Sequence, residues 1–283
     1  MNINSQKNTL FQDMKKLLLL VLFTPLITLS NAQTTSDTLG GKQNVVAADD
    51  PSKFFTRAEV FTELQHYGNN VYLELTTLRA IVKLGKRFTT RLDIPIIYNS
   101  FSSEAGNKQF GLGDISFRLL GYKLMERPRS AVTASLEVSL NTAQSPLLGT
   151  GKNLVIPVVT YSAVLKEKKL LLAFVFQQVN SFSGDDTREE ISFSKLQAIL
   201  INFWSRRVWT VVAPEWYLDY VHGGVSMNLA GRFAYAPAPR VNLWAQAGAG
   251  VFGNFAGRYD WSTNIGCRYF FMRNTILNKK KSL

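Results

Sequence analysis

The sequence predicts an all-β protein, a transmembrane antiparallel up-and-down β-barrel of twelve strands. Three observations predict it. From about residue 54 to 271 one unit repeats, a run of roughly 11 to 15 residues with period-two alternation closed by turn residues. The connections between units alternate short and long, as membrane barrels alternate turns and loops. Aromatic residues gather at strand ends, where a spanning barrel meets its two interfaces.

The alternation is clearest at the end of the chain. Trp261, Thr263, Ile265, Cys267, Tyr269 and Phe271 share one face, and Ser262, Asn264, Gly266, Arg268 and Phe270 share the other. Before them Val241, Leu243, Ala245, Ala247, Ala249 and Val251 oppose Asn242, Trp244, Gln246, Gly248 and Gly250. Read the same way, the strands fall near 54–65, 71–84, 87–99, 110–124, 130–141, 152–165, 169–180, 190–203, 207–219, 224–236, 240–251 and 260–271. Leu73 and Leu75 cannot share a face with Leu78, Ala80 and Val82 by parity, which predicts a bulge near Thr76-Thr77. Strands 152–165 and 169–180 are apolar on both faces; a ten-strand reading drops this pair.

Short connections (Gly85 to Arg87, Met125 to Arg129, Lys166 to Lys169, Ser205 to Arg207, Pro237 to Arg240) alternate with longer ones such as 100–109, 142–151, 181–189 and 253–259. With both termini periplasmic, every short turn falls on the periplasmic side. One aromatic girdle is then expected from Phe54, Phe55, Phe88, Tyr122, Phe203, Trp204, Tyr235 and Phe271. Tyr72, Tyr98, Phe110, Trp216, Tyr220, Phe252 and Trp261 form the other.

The N-terminus reads as an export signal. Met14-Lys15-Lys16 is a cationic n-region, Leu17 to Leu29 an apolar h-region, and Ser30-Asn31-Ala32 supplies the small residues of a cleavage site. The apolar run falls short of the ~20 residues a spanning helix needs. Residues 1–32 are therefore assigned as signal peptide, with 1–13 as a possible over-called start. Residues 33–52 form a periplasmic leader or, alternatively, a small plug in the lumen. Residues 53–271 form the barrel and 272–283 a basic tail.

The chain carries a net +12; Lys7, Lys15, Lys16 and Asp13 leave with residues 1–32, a net +2, so the mature chain carries +10. Export excludes nucleic acid as the partner of this charge. Lys86, Arg87, Arg127, Arg129, Arg206, Arg207 and Arg240 all lie on short turns. They either face anionic lipid headgroups or simply keep tight turns soluble. Outer-membrane lipids, the outer-membrane assembly machinery and a small-molecule solute are the expected partners.

Opposite the lipid-facing positions lie Arg57, Glu59, Glu63, Arg91, Asp93, Asp114, Arg118, Glu137, Glu215, Arg232 and Arg268. Charges at mid-strand are costly against lipid, so they point inward. They line a hydrated pathway or brace a closed interior with ion pairs; an interior of twelve strands favours a narrow passage. No catalytic chemistry is expected. Serine hydrolysis needs a nucleophile tied to a histidine base, and only His66 and His222 exist, both in or beside short outer loops. The single Cys267 makes no disulfide within the chain, and two distant histidines make no metal site. No cofactor is implied.

Two stretches carry a family likeness: Gly111 to Tyr122, opening with Gly111, Gly113 and Asp114, and Ser135 to Leu165, with Gly149, Thr150, Gly151, Pro157 and Tyr161. Together they resemble an outer-membrane transporter family associated with the meta-cleavage pathway of phenol degradation, although Asn141-Thr142-Ala143 stands where that family carries Pro-Thr-Gly. The resemblance implies a distant similarity to long-chain fatty acid and hydrocarbon uptake barrels, with small hydrophobic or amphiphilic compounds as solutes. A passive channel for such compounds is the expectation. A non-conducting structural or adhesion barrel and a narrow channel for hydrophilic solutes are the alternatives. The motif glycines are expected to serve tight bends at φ > 0.

Overall fold

The structure, a computed structural model, describes residues 49–68, 71–100, 109–165, 170–253 and 258–271. The expected signal peptide, residues 33–48 of the leader, the turn 166–169 and the tail 272–283 lie outside the described residues. The alternating segments become thirteen strands: β1 (Arg57–His66), β2 (Tyr72–Leu84), β3 (Phe88–Asn99), β4 (Gln109–Leu112), β5 (Ser116–Glu126), β6 (Ser130–Ser139), β7 (Lys152–Leu165), β8 (Leu170–Gly184), β9 (Ser192–Phe203), β10 (Val208–Asp219), β11 (Val225–Ala238), β12 (Val241–Phe252) and β13 (Trp261–Phe270).

Each pairs antiparallel with its neighbours, and β1 pairs with both β2 and β13, so the sheet closes on itself. β3 pairs with β5 along Phe88 to Asp93 and with β4 along Ile96 to Asn99. The short β4 and β5 therefore occupy one position in the wall, and the barrel has twelve strand positions. Among the described residues every strand but β4 has two strand neighbours, the condition for backbone to sit in lipid, and β4 pairs with β3 on one side and meets Gln144 of the following loop on the other.

The predicted strand 110–124 is thus broken at residues 113–115. The ladder crosses the break through Gly113 N–H donating to Pro95 O at 3.0 Å. The family-motif residues explain the break. The Asp114 carboxylate accepts from Thr142 N–H and Ala143 N–H at 3.1 Å each, and from Thr150 N–H and Oγ1–H at 2.7 and 2.9 Å. A Cβ on Gly149 would sit 2.6 Å from Asp114 Oδ1, and one on Gly113 would sit 2.5 Å from Ile97 Cδ1. The motif ties loop 140–151 down over the break. Of its glycines, Gly151 (φ 75°) has a positive φ; Gly111, Gly113 and Gly149 serve close approach instead.

The bulge expected near Thr76-Thr77 is absent, because β2 pairs in unbroken register with β1 and β3. Leu73 and Leu75 therefore face inward beside Thr77 and Arg79, while Thr62 and Thr76 bond outward at 2.8 Å. Towards the loop end, polarity no longer reports which face meets lipid; strand pairing does. A register shift instead falls between Arg118 and Leu120. There Leu119 and Leu120 are both exposed (58% and 47%), which leaves Arg118 and Gly121 both facing inward.

The outward face is an apolar band: Ile265 is 64% exposed, Leu124 56% and Phe233 54%. So much exposed hydrocarbon suits a lipid surface rather than water. Phe88, Trp204, Tyr235 and Phe271 ring one end, and Phe110, Tyr220, Phe252 and Trp261 the other. Two expected girdle members turn inward. Phe54 is buried, and Phe203 packs on an interior cluster of Leu171, Ile201, Trp209, Val211, Ala234 and Trp244. Short turns such as Gly85–Arg87 mark one end of the barrel, called here the turn end. β1 starts and β13 finishes there, joined by Phe271 N–H donating to Thr56 O at 3.0 Å.

Candidate functional site in the lumen

Period-two alternation points every second side chain into the bore, and strand register decides which ones meet. On the wall made by β13, β1, β2, β3, β5 and β6 the charges form a continuous ladder. Arg268 Nε lies 2.7 Å from Glu59 Oε1, and Arg57 Nε 2.6 Å from the same oxygen. Arg79 Nη1 is 3.7 Å from Glu59 Oε2, and its Nε is 2.7 Å from Asp93 Oδ1. Arg91 links Asp93 (3.0 Å) to Glu137 (2.6 Å), and Arg118 closes the run on Glu137 at 2.7 Å. Charge-assisted pairs of this kind hold the guanidinium planes in fixed orientations.

Arg57, Glu59, Glu63, Arg91, Arg118, Glu215, Arg232 and Arg268, all expected in the lumen, border its cavity. Glu63 accepts from Gln65 Nε2 at 2.6 Å, and Glu215 meets Lys195 Nζ at 3.0 Å and Tyr217 OH at 2.8 Å. Asp114 is the correction: it belongs to the loop knot, because the strand breaks where it stands. Arg79, Lys123, Lys195 and Asp49 are lumen charges that the sequence reading missed. Arg79 and Lys195 could have been found by parity against Leu78 and Ala80, and against Leu196 and Ala198. Lys123 could not, since the bulge at Leu119-Leu120 inverts the count. Nothing local marks Asp49, which precedes the first strand.

The opposite wall differs. Val158, Val175, Ile199, Val211 and Ala213 on β7 to β10 line a cavity of about 410 Å³ together with Thr160, Gln177, Gln197 and Glu215 of the same strands; Arg57, Arg79, Arg91, Arg118, Arg232 and Arg268 line it too, Arg232 directly beside Val211. Asp93 and Glu137, which bond to these arginines, do not line the cavity themselves. The bore mixes guanidinium groups with aliphatic and uncharged polar side chains.

A strap crosses its turn end. Asp49 accepts from Trp209 Nε1–H on β10 and lies 3.1 Å from Arg232 Nη1 on β11 and 3.3 Å from Arg268 Nη1 on β13. Three residues on, Ser52 Oγ accepts from Ser162 Oγ–H on β7 at 2.7 Å. Lys53 Nζ reaches Glu126 on β5 at 3.3 Å, and the Phe54 ring lies 5.5 Å from Lys123 Nζ. β7 and β13 stand on opposite sides of the ring, so residues 49–54 span the bore. This covers the end of the segment for which the sequence left leader or plug open.

Neither histidine sits in the lumen cavity. His66 stacks on Trp261 at 5.4 Å between ring centroids. His222 bridges two loops at the end away from the short turns, 3.0 Å from both Asp219 and Glu189, and these hydrogen bonds raise its pKa. At the same end the hydrogen bond from Lys152 lowers the pKa of Glu190.

No family model and no curated protein matches the chain. Solved structures do match. An outer-membrane channel from Pseudomonas putida F1 superposes at a TM-score of 0.63 with 12% identity, covering 84% of this chain and 100% of that one. The NanC porin follows at 0.56 with 11% identity (76% and 100% covered). The KdgM porin, in complex with oligogalacturonate, gives 0.51 with 8% identity (76% and 99%). The fold is therefore that of outer-membrane channel barrels.

Proposed function

We propose that this chain is an outer-membrane channel with periplasmic termini, passing small hydrophobic or amphiphilic compounds passively. The observation that carries the reading is the cavity itself, which sets the aliphatic side chains of Val158, Val175, Ile199, Val211 and Ala213 beside guanidinium groups. A purely braced interior would have no need of a cavity. The likeness to channel barrels supports the fold side of this reading, and the phenol-pathway resemblance fits its solute class. Chemistry on the solute is not part of the proposal, since the lumen groups are held in ion pairs rather than in a nucleophile–base arrangement.

The strap favours a second reading, a non-conducting barrel closed at its turn end. Single-channel recording of the refolded protein in a planar bilayer, with and without residues 33–52, separates the two. Steady current steps that grow on deletion support the channel. Silence in both forms leaves a structural barrel.

A further inference from the structure

Asp49 reaches the lumen from outside the barrel wall, and what it meets is a receptor. Two guanidinium groups, Arg232 and Arg268, and the Trp209 indole N–H converge on one carboxylate. Both guanidiniums also lie against the Trp244 ring, at 5.4 and 5.1 Å, which fixes their planes. Arg268 already carries Glu59, so the site has room for one negative charge. Val211, Ala213 and Ala230 line the cavity wall beside it. A guest with one carboxylate and a compact hydrocarbon body would satisfy both surfaces.

We propose that this pocket is a binding site for the carboxylate of an amphiphilic monoanion, and that Asp49 is its resident occupant, displaced by the solute. The proposal rests on the channel reading only in that the solute must reach the site through the lumen. Exchange replaces one carboxylate by another, so Arg232 and Arg268 are never left buried without a counter-charge, the state that costs most. Displacing Asp49 frees the end of the strap that lies on β10, β11 and β13. What then holds the strap is the Ser52–Ser162 hydrogen bond and the contacts of Lys53 and Phe54 with β5. Solute binding and opening of the turn end become one event.

A tethered competitor lowers apparent affinity by the fraction of time it occupies the site. Benzoate binding is therefore measured by calorimetry on the refolded barrel in detergent micelles, for wild type, Asp49→Ala and Asp49→Ala/Arg232→Gln. Heat-shifted gel mobility confirms that each is folded. Asp49→Ala is expected to bind benzoate about tenfold more tightly than wild type, and the added Arg232→Gln to reverse the gain. Benzamide, isosteric and uncharged, is expected not to bind. Equal benzoate affinity in wild type and Asp49→Ala overturns the proposal. So does benzamide binding as well as benzoate, or inorganic phosphate binding more tightly than benzoate. Because the assay needs no conduction, binding without current in a bilayer sinks the channel reading alone, and current without binding sinks this site alone.

Discussion

The two walls of the bore solve the same packing problem with different chemistry. From β13 through β1 to β6, side chains meet as Arg268–Glu59–Arg79–Asp93–Arg91–Glu137–Arg118, an alternating ladder. From β7 to β12, Leu171, Ala173, Ile201, Trp209, Val211 and Trp244 pack as an apolar cluster. The register is antiparallel on both sides, so the backbone does not demand the difference. Buried ion pairs contribute no more stability than well-packed hydrocarbon and are expensive to break. The apolar cluster shows that part of the interior can be filled by packing, beside the Lys195–Glu215 pair on the same wall. The ladder is therefore better explained by what it presents to the cavity than by what it adds to stability.

That contrast can be broken at its strongest point. Glu137 is 4% exposed and bridges Arg91 and Arg118. Glu137→Gln removes the counter-charge of Arg118 and leaves Arg91 with Asp93 alone, and is expected to destabilise the refolded barrel by about 3–5 kcal/mol in urea unfolding. A loss below about 1 kcal/mol would mean that the ladder is wet enough to be screened.

A smaller effect sharpens the distinction between inside and outside. Gly266 faces the lumen, and a Cβ there would sit 2.5 Å from Trp244 Cε2 and 2.7 Å from Phe61 Cβ. Gly266→Ala should therefore cost about 1–3 kcal/mol by overpacking. Gly231 faces outward with nothing within 4 Å of its would-be Cβ. Gly231→Ala should leave urea unfolding unchanged, and equal costs at the two sites would contradict the facing assigned here.

The smallest expected effect lies outside the bore. Hydrogen bonds to Asp219 and Glu189 raise the His222 pKa above its ordinary 6.5. The folded form holds the proton more tightly than the unfolded one, so the added stability is fully present below pH 6.5. It is lost as pH rises through the folded pKa. Limited proteolysis of loops 185–191 and 220–224 should accelerate across that window, and His222→Gln should abolish the pH dependence.

The barrel was legible because period-two alternation and turn spacing are local. Trp261, Ile265 and Tyr269 point out, and Asn264 and Arg268 point in, as their parity requires. The expected charges that border the cavity fall on the same parity. The failures were failures of register. The absent bulge at Thr76-Thr77 came from reading Leu73 and Leu75 as lipid-facing when strand pairing turns them inward. Asp114 left the lumen because its strand breaks to seat loop 140–151, a contact between residues far apart in the chain.

The sequence by itself marked the strand segments and the alternation of turns with loops, because each depends on residues within a few positions of one another. Only the tertiary structure decided which charges are partners, which aliphatic side chains share the cavity with them, and that Asp49 crosses to Arg232 and Arg268. Those contacts join residues up to 219 positions apart. Ring closure and register bring them together, and no local pattern encodes either.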